Sequence, residues 1–208
     1  MSHAATHTLT RQKERMKMTI KAETVAQNII NALNERNDAQ YSKDNDIAIK
    51  LVTNDAAQLL IDAKLYNKQF LETVKAHDKA NAANFIAVKA FVKVLQMLNA
   101  ASTSDVFKLD DYSAIILHNA KALSDAISYE QAAYSLCKQI EFDEEKLSSI
   151  ANASSSIRRK DVKASTMTTQ RSSSKNAFAL LDVATYTSDK TIKLNLDNLV
   201  CQKLLELV

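Results

Sequence analysis

The stretch of this chain richest in chemistry is Ser165-Thr166-Met167-Thr168-Thr169-Gln170-Arg171-Ser172-Ser173-Ser174-Lys175, with Arg158, Arg159, Lys160 and Lys163 just before it. Hydroxyls, an amide, guanidinium and ammonium groups all donate to phosphate oxygens, and Arg and Gln also reach purine edges in a major groove. Small polar side chains between them let a helix sit deep in such a groove. Residues 157–175 carry a net charge of +5. Residues 1–21, with Arg11, Lys13, Arg15, Lys17 and Lys21 against Glu14, carry +4, which leaves −6 on the rest within a total of +3. Two basic tracts on an acidic body suit a polyanion, because each Lys or Arg laid on a phosphate releases condensed counterions. Arg158, Arg159, Lys160, Lys163, Gln170, Arg171, Ser172 and Lys175 are therefore the candidate nucleic-acid contacts; the plainer alternative is a solvated charged surface.

Catalytic groupings are weak by comparison. Glu141, Asp143, Glu144 and Glu145 complement the positive end of a helix dipole as well as they would serve any acid–base role. His77 and His118 fall on separate helices, with no carboxylate or second His at i+4 to share a metal, and read as surface or boundary residues. Cys137 and Cys201 stand far apart without ligand spacing and read as small core residues in reduced form. No catalytic residue, metal or cofactor is assigned, and the chain is not read as an enzyme.

The composition narrows the choice further. The 208 residues include no Gly, no Pro and no Trp. Neither the phosphate-cradling loop of nucleotide-binding proteins nor the dinucleotide fingerprint can be written without Gly. Turns must be built by Asn, Asp, Ser and Thr, and left-handed residues are expected at Asn or Asp. About 30 alanines with few aromatics point to thin helix-on-helix packing and a mainly α chain. No apolar run approaches the roughly 18 residues of a membrane span, and the N-terminus lacks the apolar block of a secretory signal, so a cytoplasmic protein without membrane contact is expected.

The elements that must carry these residues follow from periodicity. Val25, Ile29 and Leu33 mark a helix over 19–36, and 38–46 reads as a loop. Leu59, Ala63, Tyr66, Phe70 and Val74 form one stripe, with Thr53-Asn54-Asp55 able to cap a fresh helix and to set Ile47–Val52 apart as a short turn. Residues 78–99 are apolar over more than half their circumference, which predicts a central helix. Residues 100–111 read as a connection and 112–140 as a long helix with Ile116 and Cys137 in its seam. Asn176–Val183 reads as a short helix, Thr191–Leu196 alternates as a strand, and Leu199–Val208 is an apolar terminal helix.

These elements give an expected organisation of a flexible basic arm (1–18), a bundle of four to five helices (19–145) and a small C-terminal α(+β) module (146–208). With Arg158 to Ser165 as a short helix and Thr191 to Leu196 as a hairpin strand, the order over about residues 145–208 resembles a winged helix-turn-helix module. It departs from that pattern in lacking a turn Gly and in placing Ser173 or Ser174 where a core side chain is usual. A rival parse takes Leu147, Ile150 and Ala151 as the first helix and Ser156 to Val162 as the second. A Ser/Thr-rich linker over 148–175 accounts for the same residues. The expected function is nucleic-acid binding, DNA ahead of RNA, in a regulatory or replication role and as a homo-oligomer. The alternative is a helical viral or mobile-element scaffolding protein that oligomerises and docks on acidic protein partners.

Overall fold

The computed structural model describes residues 20–36, 42–76, 87–123, 163–188 and 191–208. The arm at 1–18, Arg158, Arg159 and Lys160, His77, Cys137 and the acidic cluster at 141–145 lie outside them. Within them the chain is mainly helical. The helices are α1 (Ala22–Glu35), α2 (Ser42–Leu51), α3 (Asn54–Asp62), α4 (Lys68–Lys75), α5 (Val88–Thr103), α6 (Asp111–Leu123), α7 (Ala164–Leu180) and α8 (Leu199–Leu207). A 3-10 turn at Val106–Lys108 links α5 to α6, and β1 (Ala184–Tyr186) pairs antiparallel with β2 (Ile192–Leu194) between α7 and α8.

Polar side chains cap three of the described helices, while α1, α5 and α7 begin without a side-chain cap. Thr53 caps α3 by accepting from Ala56 N at 3.1 Å, Asn67 caps α4 by accepting from Phe70 N at 2.9 Å, and Asn198 caps α8 by accepting from Cys201 N at 3.0 Å. Three helices end on a left-handed residue, Lys64 (φ 58), Ser104 (φ 52) and Asp182 (φ 51), so Asn and Asp do not monopolise that role. At each end the next N–H, or that residue's neighbour, closes a bond across the last turn: Leu65 N to Leu60 O, Asp105 N to Ala100 O and Val183 N to Phe178 O. Those bonds satisfy carbonyls that the helix leaves open and offset the steric cost of a β-carbon there.

Several boundaries differ from the sequence reading. The stripe from Leu59 to Val74 is split, because Lys64 turns the chain left-handed and Asn67 begins a new helix. The loop expected to reach Asp46 is already helix from Ser42, and α5 runs on to Thr103. The short helix expected at 176–183 is the end of the 17-residue α7.

α5 is the central element. Phe91, Val94, Leu95, Met97 and Leu98 are all buried, and α2, α3, α7 and α8 pack around it. α1 lays Val25, Ile29 and Leu33 against α3 and α4. Buried Asn99 fastens the α2–α3 junction, donating to Leu51 O at 2.8 Å and accepting from Thr53 Oγ1 at 2.6 Å. Met167, Ala177, Phe178 and Leu181 of the C-terminal elements belong to the same buried cluster as α1 and α5.

Candidate nucleic-acid interface

α7 carries the predicted contacts, and its orientation follows from a sparse apolar pattern. Met167, Ser174, Phe178 and Leu181 recur at three-, four- and seven-residue spacing and are buried against α5 and α6. Ser174 occupies a core position because Ser113 of α6 meets it, with the two hydroxyl oxygens 3.0 Å apart in a buried hydrogen bond. The opposite face exposes Ser165, Thr168, Thr169, Ser172, Lys175, Asn176 and Ala179. No Asp or Glu occurs from Lys163 through Leu181, so this face carries cations and hydroxyls without a carboxylate. Hydroxyls are also spent on the helix itself, as where Thr169 Oγ1 donates to Ser165 O and Ser173 Oγ to Thr169 O, each at 3.2 Å.

Among the predicted site residues within the described regions, Lys163 lies at the N-cap and is exposed, Ser172 and Lys175 are exposed, and Gln170 and Arg171 are half-buried. From Lys163 to Lys175 the helix spans about 18 Å at 1.5 Å per residue. The helix also separates two of them. Gln170 lines a cavity of about 490 Å³ with Asp44, Lys89, Lys93, Asp110 and Tyr112, whereas Lys175 faces the hairpin.

The hairpin pairs the expected strand with a partner, β1, that the sequence reading left out. Its register pairs Ala184 with Leu194, Thr185 with Lys193 and Tyr186 with Ile192. Thr185 and Lys193 point outward and are exposed, while Ala184 and Ile192 are buried, as the two-residue period of a strand requires. Lys175 Nζ lies 3.9 Å from the centroid of the Tyr186 ring, a cation–π contact that ties α7 to β1. Between them is a cavity of about 310 Å³ lined by Phe178, Ala179, Ile192 and Asp182 as well as Lys175 and Tyr186. β2 is no longer than β1, but it falls in the alternating run Thr191–Leu196, whereas β1 follows directly on the apolar stretch ending at Val183 and gave Tyr186 no separate signal.

The second cavity is built differently. Lys93 of α5 is 5% exposed, forms an ion pair with Asp110 and lies 5.1 Å from the Tyr112 ring centroid. Asp110 Oδ1 also accepts from Ser113 N at 3.1 Å. The Lys–Asp pair thus fixes the start of α6 on α5.

Two further groups are perturbed by burial. His118, read from sequence as a boundary residue, is buried in α6, and neither ring nitrogen has a hydrogen-bond partner among the described residues. Burial, and then the neighbouring Lys121 charge, push its pKa below 6.5. Cys201 is buried in α8, and loss of solvent raises its thiol to about 11. It is therefore an unreactive core thiol at neutral pH. Lys121 Nζ donates to Leu205 O at 2.6 Å and Val208 O at 2.8 Å, complementing the negative end of α8.

Among the described residues no group of three or more His, Cys, Asp or Glu is placed to hold a metal ion, and no helix is long and apolar enough to cross a membrane. Compared with known proteins, the chain matches no family model, no curated protein and no solved structure.

Proposed function

We propose that this chain is a nucleic-acid-binding protein, with DNA preferred over RNA, that lays the outer face of α7 in a major groove and uses the β1–β2 hairpin as a flanking wing. The observation that carries this reading is the two-faced character of α7. One side is anchored by Met167, Ser174 and Phe178, and the other offers small polar side chains and Lys175 without a carboxylate. A helix followed at once by a two-stranded hairpin is the order of a winged helix-turn-helix reader. The preference for DNA follows from groove shape, since the major groove of A-form RNA is too narrow for a helix to enter. Arg158, Arg159 and Lys160 precede α7 in the sequence and would add phosphate contacts. The role is one of binding, regulatory or replicative, rather than catalysis, and a homo-oligomer would set two such helices on one duplex.

The test places a negative charge on the outer face. Ser172→Asp is expected to weaken duplex binding by about tenfold or more, with the salt slope reduced and thermal stability unchanged. Fluorescence anisotropy with the full chain at two salt concentrations reads this out. Unchanged affinity would remove α7 from the interface.

A further inference from the structure

Following the exposed stripe of α7 from Ser165 through Thr168, Ser172 and Lys175 to Ala179 leads directly into the cavity between the helix and β1. The cavity differs in character from the stripe. Its lining is largely apolar, with Phe178, Ala179 and Ile192 beside the Tyr186 ring. Lys175 Nζ covers one face of that ring at 3.9 Å, so a flat group reaching this face does so by displacing the ammonium. The ammonium is on a flexible, exposed four-carbon stem, so another group can take its place at small cost. Asp182, also in the lining, accepts from Asn195 Nδ2 at 2.8 Å through Oδ2, which holds the carboxylate in place.

An aromatic face, a largely apolar lining, a displaceable cation and a fixed carboxylate together match one ligand chemistry. A nucleobase brings a flat π surface to stack, N–H donors at its edge, and a phosphate one bond system away. The volume of about 310 Å³ is at the low end for a small-molecule site, with room for one base and its sugar but not for a base pair. A base still paired within a duplex cannot enter.

We infer that the cavity between α7 and β1 takes a single unstacked nucleobase on Tyr186, with Lys175 moving from the ring to a flanking phosphate. The protein then favours opened DNA, whether single-stranded, gapped or mismatched, over the matched duplex at that step. This rests on the reading that the outer face of α7 lies on DNA, and it names the form of DNA that the face selects.

The experiment uses the full chain with three variants, Tyr186→Phe, Tyr186→Leu and Tyr186→Ala, and oligonucleotides carrying 2-aminopurine as single strand and as matched duplex. Base–aromatic stacking predicts that Tyr186→Leu and Tyr186→Ala weaken single-strand binding by about tenfold and abolish quenching of 2-aminopurine, with a smaller loss on the duplex. Tyr186→Phe keeps both. Leu fills the space left by the ring, so its variant separates loss of stacking from loss of folding. Single-strand binding by Tyr186→Leu equal to the parent overturns the inference, as does an equal loss on both forms of DNA. Duplex binding with none to single strands also overturns it while leaving the outer-face reading intact; a protein that binds neither form overturns both.

Discussion

Lys93 and Lys175 each sit over a tyrosine ring, 5.1 Å from the centroid of Tyr112 and 3.9 Å from that of Tyr186, yet their surroundings set them to different work. Lys93 is buried in the central helix and forms an ion pair with Asp110, so its charge is consumed inside the fold. Lys175 is exposed on a helix with no carboxylate from residue 163 to 181, and its ammonium rests on the Tyr186 ring where solvent still reaches the side chain. The same pair of residue types is a structural clamp where a buried carboxylate completes it and an exposed cation–π contact where no ion pair does. Burial decides between the two, because a buried charge must be matched and an exposed one need not be.

The sharpest way to break the comparison is to remove the buried cation. Lys93→Met leaves the Asp110 carboxylate without its partner in a protected site and is expected to cost about 3–5 kcal/mol in urea unfolding. Adding Asp110→Asn should return most of that loss, since the remaining amide carries no charge to match. A single-variant loss below about 1 kcal/mol would mean that the pair does not hold α6 on α5.

A smaller effect is expected where α7 meets the core. Ser174→Ala leaves Ser113 Oγ buried without its partner and should cost about 1–3 kcal/mol, while Ser113→Ala with Ser174→Ala costs less than the two singles added. A double-mutant cycle on thermal or urea unfolding measures this. Additive losses would show that the two hydroxyls do not depend on each other.

The pH dependence tests burial on the same side of the molecule. Because the folded-state pKa of His118 lies below 6.5, the unfolded chain takes up a proton where the folded chain does not. The stability this contributes is present above about pH 6.5 and is lost as the pH falls below it. Thermal melts from pH 7.5 to 5 should fall more steeply for the parent than for His118→Leu. Parallel curves would place the histidine in contact with solvent.

The smallest effect on stability belongs to the exposed lysine. Lys175→Ala should stay within about 0.5 kcal/mol of the parent, as surface substitutions usually do. Its signature lies in DNA binding, where the salt slope is expected to fall by about one. A stability loss as large as that of Lys93→Met would erase the distinction between the two lysines.

Much of this architecture was legible in the sequence where a pattern repeats over several turns. The helix at 22–35, the central helix with apolar residues on more than one face, the break at Thr53 and the terminal helix each follow from spacing and cap chemistry. The candidate interface was legible in its residue types, as a hydroxyl-rich segment with Lys and Arg but no acid. Its geometry was not. Ser174 looked like a defect in a recognition helix because its partner Ser113 lies 61 positions away. Gln170 and Lys175 looked like one site, but they stand on opposite flanks of α7 and line different cavities. His118 looked like a boundary residue because a lone His has the same local signature whether it is buried or exposed.

Composition by itself determined that this chain would be mainly helical, because that outcome depends on local backbone preference and on the absence of Gly and Pro. Local sequence also determined that α7 would carry cations without carboxylates. Only the tertiary structure decided which lysine would be buried, which serine would be core, and that Tyr186 would come to rest beneath Lys175. Those outcomes depend on contacts between residues distant in the chain, and burial in a close-packed interior belongs to the assembled fold rather than to any short segment.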